Sequence, residues 1–401
     1  MSHLSPLISL LSYQEAAAKS DRFKDDPVSI DQLRYGLFGE VGSLLAAVKK
    51  YHRDTAAPSE RESAEEELGD ALWYLTALIR REGFGLDKVG EFTILELQRQ
   101  LHVSGTKRDG NGTTFDEIDG LLAFQGKHLP EPKDVMLYRL ATLISALFTK
   151  HAKDVSGVER YSIETYAEIL ATLFMLAAKF DLKLSHIAHF NLAKIRSRWP
   201  SEFTYAEHFD AKSPPFEQLP RDFTIKFISR PIRNKEFIVQ QLDGVNIGDP
   251  LTDNRAESDG YRYHDVFHLA YIAHLGWSPV VRGLLKLKRK SDPEIDENQD
   301  GARAMIIEEG IATWIFNYAR DRNYFADVEP GKLDYALLKQ VKMMVSGYEV
   351  DACPLWQWEK AILDGFAIFR ALKEAKEGMV KVDMKNHRIE FFRIPDSAGN
   401  P

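Results

Sequence analysis

Carboxylates concentrate on two neighbouring amphipathic segments of this 401-residue chain. The first segment, GEVGSLLAAVKK, contains Glu40, and the second, EEELGDALWYL, contains Glu66, Glu67 and Asp70. Residues three apart share a face of an α-helix, so Glu67 and Asp70 can point at one ion, and Glu40 can complete the cage from the neighbouring helix. An all-oxygen ligand set of this kind suits Mg²⁺. The alternative is that these acidic residues only offset the dipole at a helix start.

The segments that carry these carboxylates are predicted to be helices. Across the first 200 residues, apolar positions recur at intervals of three and four, as in helices that pack into a bundle. Between these segments, residues 103–134 are rich in Gly, Thr, Asp and Pro, which predicts an insertion that is mostly loop. The segments with helical spacing are 33–51, 63–83, 136–152 and 161–180.

An internal repeat relates the two halves of this helical region. One fixed offset places Leu72 on Leu170 and Asp70 on Glu168. We therefore expect a degenerate tandem repeat of a helix pair, which is a common route to a four-helix core. Repeat one covers about 30–100 and repeat two about 136–200.

The two acidic motifs resemble those of the MazG-like nucleoside triphosphate pyrophosphohydrolases, all-α enzymes with ExxE on one helix and ExxD on the next. The similarity is clear over roughly residues 30–100 and weaker as far as Pro200. One position departs from the family pattern. The first motif reads Glu40-x-x-Ser43, so a hydroxyl replaces its second carboxylate, and Glu66 is the substitute donor.

The resemblance implies a MazG-like four-helix-bundle domain over 1–205 that hydrolyses an NTP or dNTP to the nucleoside monophosphate and pyrophosphate. Mg²⁺ or Mn²⁺ is the implied cofactor. Glu40, Glu67 and Asp70 are the implied metal ligands, and the implied catalytic residues are Glu66 and Glu67, with Glu66 as ligand or general base. The alternative is a non-catalytic nucleotide-sensing module that controls a metal-dependent effector domain in the C-terminal half.

MazG-like proteins commonly close this unit with an Asn-x-x-Lys-x-x-x-Arg pattern that reaches the substrate phosphates. Asn191, Lys194 and Arg198 match the pattern residue by residue. The resemblance therefore implies one composite site per chain, with metal ligands from repeat one and phosphate-binding residues from repeat two. The alternative is that Lys194 and Arg198, four residues apart, form a solvated helix face.

A Pro-rich linker is expected at 206–220, followed by a second domain at 221–401. In that domain, stretches rich in β-branched and aromatic residues predict strands, and longer segments have helical spacing. The fold class expected for the whole chain is mainly α, with a helical bundle and then a mostly helical domain with a few short strands. The predicted strands are 223–230 and 236–242, with a terminal hairpin at 380–394, and the predicted helices are 261–276, 302–322, 333–346 and 355–377.

Histidines and carboxylates form a second cluster in the C-terminal half. His264 and His268 are four residues apart and share a helix face, with Asp265 adjacent. Glu308 and Glu309 lie in an apolar helical segment, where unpaired carboxylates would be costly to bury. Ligands of both types from two helices can hold a second divalent metal. The alternative is a set of His–Glu hydrogen bonds that only stabilise the core.

Charge and composition narrow the class of partner. The net charge of −8 argues against a general nucleic-acid binder, because the phosphate backbone attracts clustered Lys and Arg. No apolar run approaches the roughly 18 residues that a membrane span needs. The single cysteine, Cys353, excludes an internal disulfide. We expect a cytoplasmic protein whose partner is a nucleoside triphosphate, and the sequence leaves base preference and homo-oligomer formation open.

Overall fold

The chain divides into two compact units, residues 1–196 and 197–401. Each unit has a hydrophobic core of its own. The computed structural model describes residues 8–54, 59–103, 113–125, 129, 131–153, 161–232 and 235–394.

The first unit is helical in its described residues. Two N-caps fix the starts of the helices that carry the acidic motifs. The Asp26 side chain accepts a hydrogen bond from the Ser29 backbone, and Ser59 and Glu62 form a capping box. The helices are α1 (Leu10–Ala18), α2 (Pro27–Arg53), α3 (Glu60–Arg81), α4 (Leu86–Leu101), α5 (Phe115–Gln125), α6 (Lys133–Lys153), α7 (Ile163–Lys179) and α8 (Leu184–Arg198).

Helices α2, α3, α6 and α7 pack against one another in the core of the first unit. Their buried faces follow the spacing of three and four seen in the sequence. On α2 the buried residues include Leu37, Val41 and Leu44, and on α3 they include Leu68 and Leu72. Each such side chain contributes about 1.5–3 kcal/mol through its removal from water. This packing holds the α2 and α3 motifs side by side.

Helix boundaries in the two repeats coincide at the offset found in the sequence. Helix α3 ends at Arg81 and α7 at Lys179, while α4 begins at Leu86 and α8 at Leu184. Helix α7 packs against both α3 and α4. The turn between the last two helices therefore has the same position and length in both repeats.

The insertion at 103–134 contains a helix, although the sequence predicted mostly loop. Helix α5 buries Phe115, Ile118 and Leu122, which are spaced by three and four. The Gly- and Thr-rich run before it conceals this pattern, because it removes the usual start signal. Residues 104–112, 126–128 and 130 of the predicted insertion lie outside the described part of the chain.

The second unit combines helices with one antiparallel sheet, which confirms the predicted fold class. The strand order is β3-β2-β1-β4-β5. Strand β3 and two short helices, α10 and α11, were not predicted. The elements are β1 (Asp222–Ile232), β2 (Lys235–Leu242), β3 (Val245–Leu251), α9 (Asp265–Leu275), α10 (Pro279–Leu285), α11 (Pro293–Asn298), α12 (Ala302–Arg320), α13 (Tyr335–Met344), α14 (Leu355–Ala375), β4 (Gly378–Asp383) and β5 (Arg388–Phe392).

Residues 206–220, which the sequence predicted to be a linker, are part of the second unit. Asp210 is fully buried and accepts hydrogen bonds from Arg221 and Arg282. A short 3-10 helix follows at Pro215–Glu217. The buried charge is paired, as burial of a charge requires. The prolines therefore mark a packed segment of the second unit.

Helix α9 lies in the core of the second unit. All of its residues, Asp265–Leu275, are buried. It packs against α12, α14 and the β4–β5 hairpin. Its close contact with α14 uses Gly365, where an added Cβ would lie 3.2 Å from the Ala270 Cβ. A helix enclosed in this way holds His268 in a fixed position.

Candidate functional site

Glu40 on α2 and Glu67 on α3 share a hydrogen bond. Burial and the charge of Asp70 raise the pKa of Glu40 to about 8, and the hydrogen bond with Glu67 adds to this shift. Burial also raises the pKa of Glu67. Two carboxyl groups this close must share a proton or hold a cation in its place. The pair therefore marks a position where positive charge is favourable.

Asp70 on α3 binds two side chains of α8. Lys194 Nζ lies 2.5 Å from Asp70 Oδ2, and Asn191 Nδ2 donates to Asp70 Oδ1 at 3.0 Å. The Tyr13 hydroxyl donates in turn to Asn191 Oδ1 at 2.9 Å. Lys194 Nζ also lies 3.6 Å from a carboxylate oxygen of Glu66. The predicted residues of the two repeats thus meet around Asp70.

Two glycines let the helices approach closely at this site. An added Cβ at Gly36 on α2 would lie 2.2 Å from the Tyr74 ring on α3. An added Cβ at Gly69 on α3 would lie 3.2 Å from the Asn191 Cβ on α8. Because glycine has no Cβ, the three helices can bring their polar side chains together here.

The oxygen donors of the first unit suit Mg²⁺ or Mn²⁺, but they are less tightly grouped than the sequence predicted. In the part of the chain that the structure describes, Glu40, Glu67 and Asp70 do not offer oxygens that all lie within 4.8 Å of one another. Asp70 is held by Lys194, whereas Glu40 is paired with Glu67. Ser43 is exposed on α2. The donor chemistry fits the ion, and the ligand assignment stays a prediction.

Arg198, the last residue of the Asn-x-x-Lys-x-x-x-Arg pattern, belongs to the second unit, and its partners are in the same unit. Its Nη2 donates to the Leu333 carbonyl at 2.6 Å. Its guanidinium lies over the rings of Trp199 and Tyr335. Phosphate binding by Arg198 stays a prediction, whereas the other two residues of the pattern lie at Asp70.

The second cluster lies in the second unit, on α9 and α12. His264 is at the N-cap position of α9 and His268 is one turn further along, while Glu308 and Glu309 are in the middle of α12. His264, His268 and Glu309 each offer one ligand atom, and these atoms all lie within 4.8 Å of one another. The structure therefore brings together a potential metal-binding triad from the predicted cluster.

His268 is fully buried, and its two ring nitrogens have different surroundings. Nδ1 lies 2.8 Å from Glu308 Oε1, and Glu308 Oε2 accepts from the Val280 backbone N–H at 2.8 Å. Burial lowers the pKa of His268, but the charge of Glu308 outweighs burial and raises it well above its ordinary value. Nε2 makes no hydrogen bond of good geometry and lies 3.5 Å from Glu309 Oε1.

His264 is fixed by its neighbours. Its Nδ1 lies 2.9 Å from the Tyr261 carbonyl oxygen, and the Tyr261 ring stacks on the imidazole with a centroid distance of 4.2 Å. Its Nε2 lies 3.0 Å from Asp265 Oδ1 and 3.7 Å from Glu309 Oε2. Asp265 itself accepts a hydrogen bond from the Gln240 side chain. The Nε2 atoms of both histidines thus face carboxylate oxygens.

Tyr13, Gln240 and Tyr261 help to position these groups, and none of them was predicted from the sequence. Tyr13, in the first unit, acts through Asn191, 178 residues away, and no local pattern announces such a contact. Gln240, in the second unit, lies on a strand whose apolar alternation gives no hint of Asp265. Tyr261 was detectable, because it lies three residues before His264 in the string GYRYHDVFH.

Residues 204–395 match the family described as the MazG C-terminal domain. The match covers 192 of the 401 residues, slightly less than half of the chain. It falls on the half of the chain in which the sequence alone gave no resemblance, and it suggests a nucleotide pyrophosphohydrolase-like role and a hydrolase-type enzyme. No curated protein and no solved structure is significantly similar to the chain. Among the described helices, none has the length and apolar character that a membrane crossing requires.

Proposed function

We propose that the first unit hydrolyses a nucleoside triphosphate to the monophosphate and pyrophosphate with Mg²⁺ or Mn²⁺. The observation that carries the proposal is that Asp70, beside the Glu40–Glu67 pair, meets Lys194 and Asn191 from the other repeat. A polyphosphate needs both kinds of group, carboxylates for its counter-ion and a cation for its own oxygens. The match of residues 204–395 to the MazG C-terminal domain family supports this reaction.

The proposed roles follow from the positions of the side chains. Glu40, Glu67 and Asp70 would hold the ion, which supplies charge neutralisation and acidifies a bound water. Glu66 would act as the general base that takes the proton of the water attacking the α-phosphorus. Lys194 would exchange its bond to Asp70 for one to a phosphate oxygen, a charge-assisted contact.

The test is to incubate the full chain with a panel of NTPs and dNTPs and to measure monophosphate, pyrophosphate and orthophosphate separately. We expect monophosphate and pyrophosphate in equal amounts, only when Mg²⁺ or Mn²⁺ is present. Glu67→Gln should abolish the products. Glu168→Gln, at the counterpart of Asp70 in repeat two, is the matched control and should retain them. Release of orthophosphate without monophosphate would contradict the proposal.

A second candidate is a nucleotide-sensing module that controls a metal-dependent effector in the second unit. The observation that favours it is the His264–His268–Glu309 triad, which gives the second unit a potential metal site of its own. The same nucleotide panel separates the two candidates. Metal-dependent nucleotide binding without any product, measured by equilibrium dialysis, would favour the sensor over the hydrolase.

A further inference from the structure

His264 and His268 of the second unit each direct a ring nitrogen at the carboxylate of Glu309. We propose that His264 Nε2, His268 Nε2 and the Glu309 carboxylate bind one divalent transition-metal ion, which keeps a coordination position open to solvent. This inference concerns a site separate from the proposed nucleotide site and does not rest on it.

The hydrogen bonds at Nδ1 define which nitrogen of each ring is available. The Nδ1 of His264 faces the carbonyl oxygen of Tyr261, and the Nδ1 of His268 faces the carboxylate of Glu308. Both partners are acceptors, so Nδ1 carries the proton in each neutral ring. Each Nε2 then presents a lone pair to the oxygens of Glu309, which also present lone pairs. Such a group of acceptors requires a cation among them, either a second proton on a histidine ring or a metal ion in its place.

The separations of these atoms suit ligands of one ion better than hydrogen-bond partners. Nε2 of His268 lies 3.5 Å from Glu309 Oε1, and Nε2 of His264 lies 3.7 Å from Glu309 Oε2. Hydrogen bonds between nitrogen and oxygen are usually about 2.7–3.2 Å long. Two ligands each about 2.1 Å from a tetrahedral ion are about 3.4 Å apart. The two separations to Glu309 match the second case, whereas Asp265 Oδ1, 3.0 Å from His264 Nε2, is at hydrogen-bond distance.

A core hydrogen-bond network alone does not explain the arrangement. The bond between His268 Nδ1 and Glu308 satisfies one nitrogen, but Nε2 of this fully buried ring makes no hydrogen bond of good geometry. Buried polar atoms without a partner are rare in proteins. Metal-bound histidines usually donate their other N–H to a carboxylate or backbone carbonyl, as both rings do here through Glu308 and Tyr261.

The donor types and their exposure indicate the class of ion. Two imidazole nitrogens and a carboxylate favour ions such as Zn²⁺, Mn²⁺, Fe²⁺ or Co²⁺ over Mg²⁺, which prefers oxygen. His268 is fully buried, whereas 42% of the Glu309 side chain is exposed. Solvent can therefore reach the ion from the Glu309 side. Three protein ligands with an open position are typical of catalytic zinc sites, whereas structural sites are closed.

The experiment is a titration of metal-free full chain with Co²⁺, followed by visible absorption and elemental analysis. Wild type should bind one ion at this site and give the absorption of nitrogen- and oxygen-bound Co²⁺. Glu309→Gln and His268→Gln should remove this signal. Glu308→Gln, which alters the partner of His268 Nδ1 but none of the three ligands, should weaken affinity by about 10- to 100-fold. Addition of azide should shift the absorption spectrum through the open position.

Two controls separate loss of the site from loss of fold or of the other site. His387→Gln makes the same substitution at a histidine of the second unit outside the triad, and it should keep the Co²⁺ signal. Asp70→Asn alters the first unit and should also keep it, whatever its effect on nucleotide hydrolysis. Wild type without the signal, or Glu309→Gln with an unchanged signal and a normal melting curve, would overturn the metal site. An azide-insensitive spectrum would overturn the open position.

Discussion

The Asp70 carboxylate accepts hydrogen bonds from Asn191 and Lys194. Its negative charge strengthens the contact with Lys194 in a way that a neutral side chain of the same shape would not. Asp70→Asn keeps the size of the side chain but removes the charge that the proposed ion and Lys194 require. We expect NTP hydrolysis to fall by about 10²- to 10³-fold, as for the loss of one preorganised electrostatic contact. The melting temperature should change little. Initial rates and thermal melts of the variant and of Glu168→Gln test this expectation.

An equal loss of fold and activity in Asp70→Asn would show that the residue only stabilises the bundle. Because Asn is nearly the same size as Asp, little packing is lost, and a loss of fold can be assigned to the loss of charge. Unchanged activity would contradict the role of Asp70 directly.

Lys194 is the cation that the second repeat contributes to the first site. It lies on α8 within reach of Asp70 and Glu66. Lys194→Ala should weaken binding of a non-hydrolysable NTP by roughly 10- to 100-fold, the range for a lost hydrogen bond to a charged group. Arg196→Ala is the control, since Arg196 is exposed two residues further along the same helix and carries the same charge. Equal affinity in both variants would show that Lys194 does not contribute to nucleotide binding.

The site residues differ in how far the sequence could identify them. Glu67 and Asp70 were predictable from helical spacing, because both lie on one turn of one helix. Lys194 and Asn191 became candidates only through the resemblance, since nothing local ties them to Asp70. Tyr13 was not predictable, because its hydroxyl reaches Asn191 only when α1 and α8 have packed.

At the scale of the helix, Gly36 controls the distance between α2 and α3. Gly36→Ala would place a Cβ 2.2 Å from the Tyr74 ring, so the ring or the helix must move. We expect the free energy of unfolding to fall by about 1–3 kcal/mol, as in other overpacked cores. Gly39→Ala, where an added Cβ meets nothing within 4 Å, should instead stabilise by about 0.5–1 kcal/mol. Denaturant melts of the two variants provide the comparison, and equal effects would contradict it.

The segment before α9 is anchored by the pair of Asp253 and Arg262. Burial raises the pKa of Asp253, but hydrogen bonds from Arg262 and Ser258 outweigh burial and lower it to about 2, from an ordinary value of 3.8. A carboxyl with a lowered folded-state pKa stabilises fully above its unfolded value and loses that contribution as pH falls through the folded value. The stability lost in Asp253→Asn should therefore be largest above pH 4 and shrink towards pH 2.

Urea melts of wild type and Asp253→Asn between pH 7 and pH 3 measure this difference. A gap that stays constant, or widens as the pH falls, would show that the Asp253 charge does not contribute through Arg262. Arg262 lies two residues before His264 in the chain. The same melts therefore measure how much this ion pair adds to the free energy of unfolding from the segment that leads into the second cluster.

Elements with regular spacing were predictable, whereas irregular ones were not. Helices α12 and α14 begin at the predicted residues, because their apolar periodicity is long and uninterrupted. Strand β3, at the sheet edge, contains Gly248 and Pro250, which interrupt the apolar alternation that begins with Val245 and Ile247, so its strand signature is short. Edge strands tolerate proline because one side of their backbone has no partner strand. Contacts with the rest of the fold determine whether such irregular segments form strands.

At the scale of the whole chain, repeat two does not reproduce the first site. Under the same offset, Glu168 takes the place of Asp70, and Glu96 takes the place of Lys194. Two carboxylates stand where the first site has a carboxylate and an amine, and Glu96 is bonded to Arg99. We therefore expect one nucleotide per chain. Calorimetric titration with a non-hydrolysable NTP and Mg²⁺ gives the stoichiometry, and two equivalent sites would contradict the expectation.

The contact between Asp70 and Lys194 joins residues 124 positions apart on one polypeptide. Their encounter is therefore intramolecular, and the covalent chain sets a fixed effective concentration of one group around the other. If the two repeats were separate molecules, the fraction of assembled sites would fall with dilution by mass action. A duplicated helix pair on one chain makes the assembly of this site a first-order process, so the turnover per chain should not change as the protein is diluted.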